Sequence, residues 1–181
     1  GIGVARYEIS TNSWLPTWTE YSNSPSGNAI LDPGNQDVTG LVADVNPDQL
    51  WIGGEDGFQL IDVVNQVEVY DIEKNDALYL GNGNPYQMVI YNGVMYYHQG
   101  DDSNSVYRID VVNFNQLSNI DAGIQLNDNS GPAWGMGLID GVIMASVASN
   151  GGFPDYYDGR GGIAQWDIAN DTWGANIEPT D

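Results

Sequence analysis

One phrase recurs four times along the chain and constrains its fold more than any other feature. It reads "ARYEIS" around Glu8, "QLIDVV" around Asp62, "YRIDVV" around Asp110 and "AQWDIA" around Asp167, at spacings of 54, 48 and 57 residues. Self-similarity at a period of this length marks a stacked repeat architecture. Upstream of the last three copies lies a second shared pattern, in "LVADVNPDQLWIGG", "MVIYNGVMYYHQG" and "MGLIDGVIMASVA". Each reads as strand, tight turn, strand. Asn92-Gly93 and Asp140-Gly141 suit type I′ hairpins, whose two central residues both need positive φ. Asn46-Pro47-Asp48 makes a longer turn at the same place.

Each unit therefore predicts four short antiparallel strands, a to d. Strand a covers 38–45, 86–91 and 134–139, and strand b covers 50–54, 94–98 and 142–148. Strand c covers 57–64, 105–112 and 161–168, and strand d starts at Val67, Gln116 and Thr172. The expected fold is all-β, a β-propeller of four-stranded antiparallel blades. About three and a half blades lie in this chain, so the propeller is partial or open. The half blade is 3–20, and the full blades run approximately over 38–73, 86–121 and 134–178. A lone four-stranded sheet leaves a face bare, whereas radially packed sheets cover both. A β-sandwich is the runner-up and leaves the fourfold phrase unexplained. The open edges of such an arc invite self-association or pairing with further blades. "GMG" at 135–137 falls in a strand a, where small residues suit a crowded axis.

The details carry a family resemblance. "LWIGGEDGFQLID" resembles repeats of the two-component-regulator propellers. "RYEISTNSW" and "QWDIANDTW" are similar to the kelch pattern of strand c, turn and strand d, with its aromatic-acid pair and terminal Trp. Trp166-Asp167 matches the WD dipeptide, but its Gly-His partner is missing, so WD40 membership does not follow. The resemblance implies a propeller and says little about activity, since such folds host enzymes, sensors and scaffolds alike.

Charge narrows the partners. Twenty-five acids stand against Arg6, Lys74, Arg108 and Arg160, for a net charge of −21. Such a chain repels nucleic acid and anionic membrane surfaces. Low lysine with abundant aspartate fits a saline setting. The longest wholly apolar run, 142–145, is far short of the roughly 20 residues a membrane-spanning helix needs, so no membrane insertion is expected. Cysteine is absent, which removes thiol nucleophiles and Cys-ligated metals. The chain begins at Gly1 and reads as a mature product or an excerpt of a larger extracellular or cell-surface protein.

Strand order sorts the loops. The a–b and c–d turns share one face and are short and Asn-rich; the b–c and d–a connections share the other and vary in length. Only Asp48, Asp140 and Asp171 among the loop acids fall on the tight-turn face. The variable face is therefore the expected working face, because binding residues usually sit in loops on a rigid scaffold.

Its most suggestive segment is "NGGFPDYYDGRGG" at 150–162. Phe153, Tyr156 and Tyr157 can stack on apolar sugar faces, and Asp155, Asp158 and Arg160 can bond hydroxyls, which makes this the candidate ligand site. In "GDDSNS", Asp101 and Asp102 offer clustered oxygens for Ca²⁺, although no EF-hand spacing is present. Glu8, Asp62, Asp110 and Asp167 are expected to cap their turns rather than act in catalysis, since a catalytic site normally breaks repeat symmetry. His98 is the only histidine, and no G-x-S-x-G elbow accompanies it. "GNGNPY" at 81–86 has no Lys and no following helix, so it is no phosphate loop. The expectation is a non-catalytic recognition propeller whose acidic loop face engages a glycan, a cation or a protein. A structural, assembly or sensor segment is the alternative, and a polysaccharide hydrolase or lyase stands third.

Overall fold

The computed structural model describes residues 3–19, 38–54, 57–73, 76–79, 85–99, 105–118, 120–121, 135–147, 162–175 and 177. All regular structure among them is β. Strands β1 (Gly3–Glu8) and β2 (Ser13–Thr19) form a two-stranded sheet. A second sheet runs in chain order through β3 (Val38–Ala43), β4 (Gln49–Gly54), β5 (Gly57–Asp62) and β6 (Val67–Glu73). The third comprises β7 (Pro85–Tyr91), β8 (Val94–Gln99) and β9 (Ser105–Asp110), with its outer strand in two pieces, β10 (Asn115–Gln116) and β11 (Ile120–Asp121). The fourth is β12 (Met136–Ile139), β13 (Val142–Val147), β14 (Gly162–Asp167) and β15 (Thr172–Trp173). Every pairing is antiparallel. The first strands of the three full sheets, β3, β7 and β12, lie side by side. They are the innermost strands of a partial propeller.

The physical reason for this stacking is burial on both faces. Successive residues of a strand point to opposite sides of its sheet. A sheet with one wet face would show one buried residue in two. Here Trp51 and Ile52 are 0% and 1% exposed, Leu60 and Ile61 3% and 0%, and Tyr96 and Tyr97 3% and 0%. Trp51, Phe58 and Leu60 of the second sheet pack with Met95, Tyr97 and Ile109 of the third. Ile52 and Ile61 turn the other way, onto Val4 of the first hairpin. Tyr96 and Val106 of the third sheet meet Ile143 and Trp166 of the fourth. Aromatic rings fill the joint between the second and third sheets: Phe58 stands edge-on to Tyr97 at 4.8 Å, and Tyr97 stacks on Tyr107 at 5.3 Å.

The outer hairpins share an irregularity that the sequence pattern does not announce. In β1–β2 and β5–β6 the register slips, between Val4 and Arg6 and between Leu60 and Ile61. In the third sheet Asp110 pairs with Asn115, yet Val106 pairs with Ile120. In the fourth, Trp166 pairs with Trp173, yet Ile163 pairs with Ile177. In all four the outer strand holds one residue more than its partner. Such a bulge strengthens the local twist, which lets the outer edge of each sheet wrap its neighbour. Arg108 bridges the break in the third sheet. Its Nε and Nη2 donate to the Ser118 carbonyl and hydroxyl at 2.7 and 2.8 Å, and Nη1 reaches Asp171 of the fourth sheet's turn at 2.8 Å. Gln165 takes the same place in the fourth sheet and donates to the Ala175 carbonyl at 2.7 Å.

Crowding at the axis is not where the glycine pattern puts it. A Cβ at Gly137 would meet nothing within 4 Å, because among the described residues no inner strand follows β12. At Gly53 it would meet Pro85 Cγ at 3.0 Å and Met88 Cε at 3.3 Å. The close approach is thus between β4 and β7.

Removing a fully buried ring from the joint between the second and third sheets tests this packing. Tyr97→Ala is expected to lower unfolding free energy by about 3–5 kcal/mol in urea titration, the range for a fully buried aromatic. A loss of no more than about 1 kcal/mol, the average for any point change, would place the core elsewhere.

Candidate functional site

The repeated acids are the first candidates for chemistry, one carboxylate for each outer hairpin. Geometry commits them to the turns. Asp62 Oδ1 accepts the backbone N–H of Val64 and Asn65 at 2.9 and 2.8 Å, and Oδ2 accepts the Asn65 side-chain amide at 2.8 Å. Asp110 binds Val112 and Asn113 in the same way, and Asp167 binds Ala169 and Asn170. In the first hairpin Glu8 accepts the Thr11 hydroxyl, so a longer acid meets a shorter partner at the same two positions. Four residues after each acid the backbone turns left-handed: Asn12, Gln66, Phe114 and Asp171 have φ of 53°, 57°, 54° and 53°. Asn and Asp tolerate that region, whereas Gln66 and Phe114 are held there by the clamp around them.

These bonds favour the ionised form of the three aspartates. The Asn65 backbone N–H, then its amide, keeps Asp62 below the usual carboxylate range. For Asp110 and Asp167 the amides of Asn113 and Asn170 act first, and their backbone N–H groups second. A carboxylate whose lone pairs are filled by its own turn is poorly placed as a general base or metal ligand.

A second feature is a cleft of about 340 Å³ lined by Val38, Thr39, Gly40, Leu41, Gln87 and Met88. It forms because both inner strands slip register near their starts, β3 between Val38 and Gly40 and β7 between Pro85 and Gln87. The Thr39 hydroxyl donates to the Pro85 carbonyl at 2.5 Å and ties the two irregular segments together. Gly53, lacking a side chain, lets Pro85 and Met88 come close. The cleft lies toward the end of the axis where 31–37 and 80–84 lead into these strands, which is the variable-loop end. Its described lining has neutral polar groups at Thr39 and Gln87 and, among the described residues, no ionisable side chain, so this part of it suits an apolar or amide-bearing group. Strand alternation gave no sign of it; Pro85 at a strand start was the one available signal.

Other sequence-derived candidates fall differently. Phe153, Asp155, Tyr156, Tyr157, Asp158, Arg160, Asp101 and Asp102 lie outside the described residues. Among the described residues no three His, Cys, Asp or Glu side chains gather around one point. His98 is buried in β8 at 1% exposure, away from any approaching substrate. Asp76, counted with the variable-face acids, accepts the Glu73 N–H at 3.1 Å and closes a turn that tucks Tyr79 into the core. Burial raises the Tyr96 phenol above its ordinary value, and the positive charge of Arg108 opposes that rise.

No family model matches the chain, and no curated protein matches it. Solved structures do. It superposes on the RRP9 WD40 repeats with a TM-score of 0.56 at 12% identity, covering 78% of this chain and 38% of that one. The structure of U3-55K gives 0.56 at 12% identity, with 80% and 40% covered. The computationally designed Ika4 protein gives 0.55 at 13% identity, with 82% and 77% covered. The chain thus spans about two fifths of the two natural chains. At such identities the likeness shows the fold, and the fold is that of a propeller.

Two changes probe the turn clamps. A carboxyl held below its unfolded value of 3.8 contributes stability that is complete above about pH 4 and is lost as pH falls through the lowered native value. Replacing Asp62, Asp110 and Asp167 together by Asn should therefore flatten the fall in melting temperature between about pH 4 and 2. An unchanged slope would show the clamps uncoupled from folding. Gln66→Asn, easing a left-handed residue, should raise stability by about 0.5 kcal/mol in chemical denaturation.

Proposed function

We propose that the protein is a non-catalytic recognition scaffold that engages a partner protein at the variable-loop end of its axis. The single observation that carries the reading is the cleft beside Thr39 and Met88, which lies toward that end and has no ionisable side chain among its described lining residues. A propeller fold suits binding or scaffolding, and this cleft suits an apolar anchor side chain from a partner. Leu41, 48% exposed, stands at its rim and supplies contact area. The repeated carboxylates support the non-catalytic part, because their oxygens are already occupied by turn amides.

The flanking loops give the finer reading. The aromatic and charged set Phe153, Asp155, Tyr156, Tyr157, Asp158 and Arg160 extends recognition to glycan surfaces, and Asp101 and Asp102 supply oxygens for Ca²⁺. The kelch-like hairpins are part of this proposal, as is placement at the cell surface or outside it. A charge of −21 favours cationic partner surfaces and speeds their approach at low salt.

Peptides selected from a random displayed library against the wild-type protein are expected to bind Leu41→Arg at least tenfold more weakly. Equal binding to both proteins would remove the cleft from the account. Tyr156→Ala with Tyr157→Ala should abolish glycan-array signal while leaving those peptides bound; retained glycan signal would sink the loop assignment.

A further inference from the structure

One titratable side chain lies inside the stack and takes no part in the turns. His98, the only histidine in the chain, is 1% exposed in β8. The ends of the arc do not set this burial. β8 is a middle strand of the third sheet, which packs on the second sheet through one face and on the fourth through the other. Alternation along β8 gives His98 its direction. Met95 and Tyr97 face the second sheet, so Tyr96 and His98 face the fourth. Val106, opposite His98 on β9, is 0% exposed. The fourth sheet turns Ile143, Ala145, Ala164 and Trp166 to that joint, and none is more than 7% exposed.

Few charged groups share this joint among the described residues. On the third sheet's own face, β7 adds Tyr91, β8 adds Tyr96, and β9 adds Arg108 and Asp110. Asp110 is engaged by its own turn, and Arg108 is held by Asp171, which comes from the fourth sheet's turn. The described side chains that β12 to β15 place in the joint, among them Met136, Leu138 and Trp173, are apolar or indole. A second positive charge beside Arg108 is therefore opposed twice, by repulsion and by loss of water. The ring packs here in its neutral form, and protonating it requires the joint to open.

His98 is also the cross-strand neighbour of Gln87, which lines the axial cleft. Side chains of such a pair stand on one face of the sheet, with Cβ atoms about 5 Å apart. We propose that mild acid weakens partner binding at the cleft, a regulation that presupposes binding there, because protonation of His98 loosens the joint between the third and fourth sheets and shifts Gln87. The direction follows from linkage. The unfolded chain's histidine takes up its proton near pH ~6.5, and the neutral buried ring takes it up only at lower pH. The stability contributed by the neutral ring is complete above about pH 6.5 and is lost as pH falls below it. The aspartate clamps respond below about pH 4, so the two acid responses occupy separate windows.

Because the chain has one histidine, imidazole resonances of the labelled full chain report His98 alone. Their midpoint is expected at least one pH unit below about 6.5, or titration is absent until the chain unfolds. A midpoint at or above about 6.5 would overturn the proposal. The urea midpoint of the wild type should fall between about pH 7 and 4.5, and His98→Gln should flatten that fall. His98→Met provides a second neutral replacement should the first fail to fold. Selected peptides free of His, Asp and Glu should bind the wild type at least tenfold more weakly at about pH 5 than at about pH 7.5, and bind His98→Gln equally at both. Binding by the wild type that ignores pH, or an acid effect that persists without His98, would overturn the coupling. The cleft itself is judged apart from His98, by Leu41→Arg at about pH 7.5, where the ring is neutral in either case. Equal binding by that variant removes the site and its regulation, while the imidazole and urea readings still decide whether His98 holds the joint.

Discussion

Everything in this chain depends on sheets that bury both faces. Four short strands make a ribbon too small to hold an interior of its own, and the second and third sheets gain one by serving as the floor of one joint and the roof of the next. Trp51 and Ile52 are adjacent in sequence and both are covered, one by the third sheet and the other by the first hairpin. Full burial of one such side chain is worth about 1.5–3 kcal/mol, and two-sided packing roughly doubles the number of side chains a strand contributes. The same dependence sets the vulnerability of the ends. A sheet with no neighbour shows the apolar face that its interior equivalents hide.

Radial packing also explains why the turns are built so uniformly. Each outer hairpin must close tightly and then twist hard enough to follow the curve. The acid clamp does the first task by filling a carboxylate with three donors from its own turn, and the bulge in the outer strand does the second. Arg108 joins the two tasks across a joint, tying the break in the third sheet to the turn of the fourth through Asp171.

Much of this was legible in the residues. The repeat of Glu8, Asp62, Asp110 and Asp167 set the number and order of sheets, and Asn92-Gly93 and Asp140-Gly141 marked hairpins whose φ values are indeed positive. The paired burial of Tyr96 and Tyr97 could be suspected from an unbroken apolar run. The bulges could not, because a one-residue slip leaves no mark when the outer strand lacks clean alternation, as at Ser118 and Ala175. Left-handed Gln66 and Phe114 were equally hidden, since neither residue type favours that region and the clamp imposes it. The cleft at Thr39 escaped for a related reason: it arises where two strands both depart from regular register. Gly137 misled, because crowding depends on which neighbour is present and not on the glycine itself.

Native-state hydrogen exchange at low salt and low protein concentration tests two-sided burial most directly. Amides of β4, β5, β8 and β9, in sheets covered on both sides, should open only with global unfolding and exchange slowest. Those of β1, β2, β14 and β15, in sheets covered on one side, should exchange through smaller openings and markedly faster. Protection in the β1–β2 hairpin equal to that of β5 would contradict an arc with bare ends and the packing rule from which it follows.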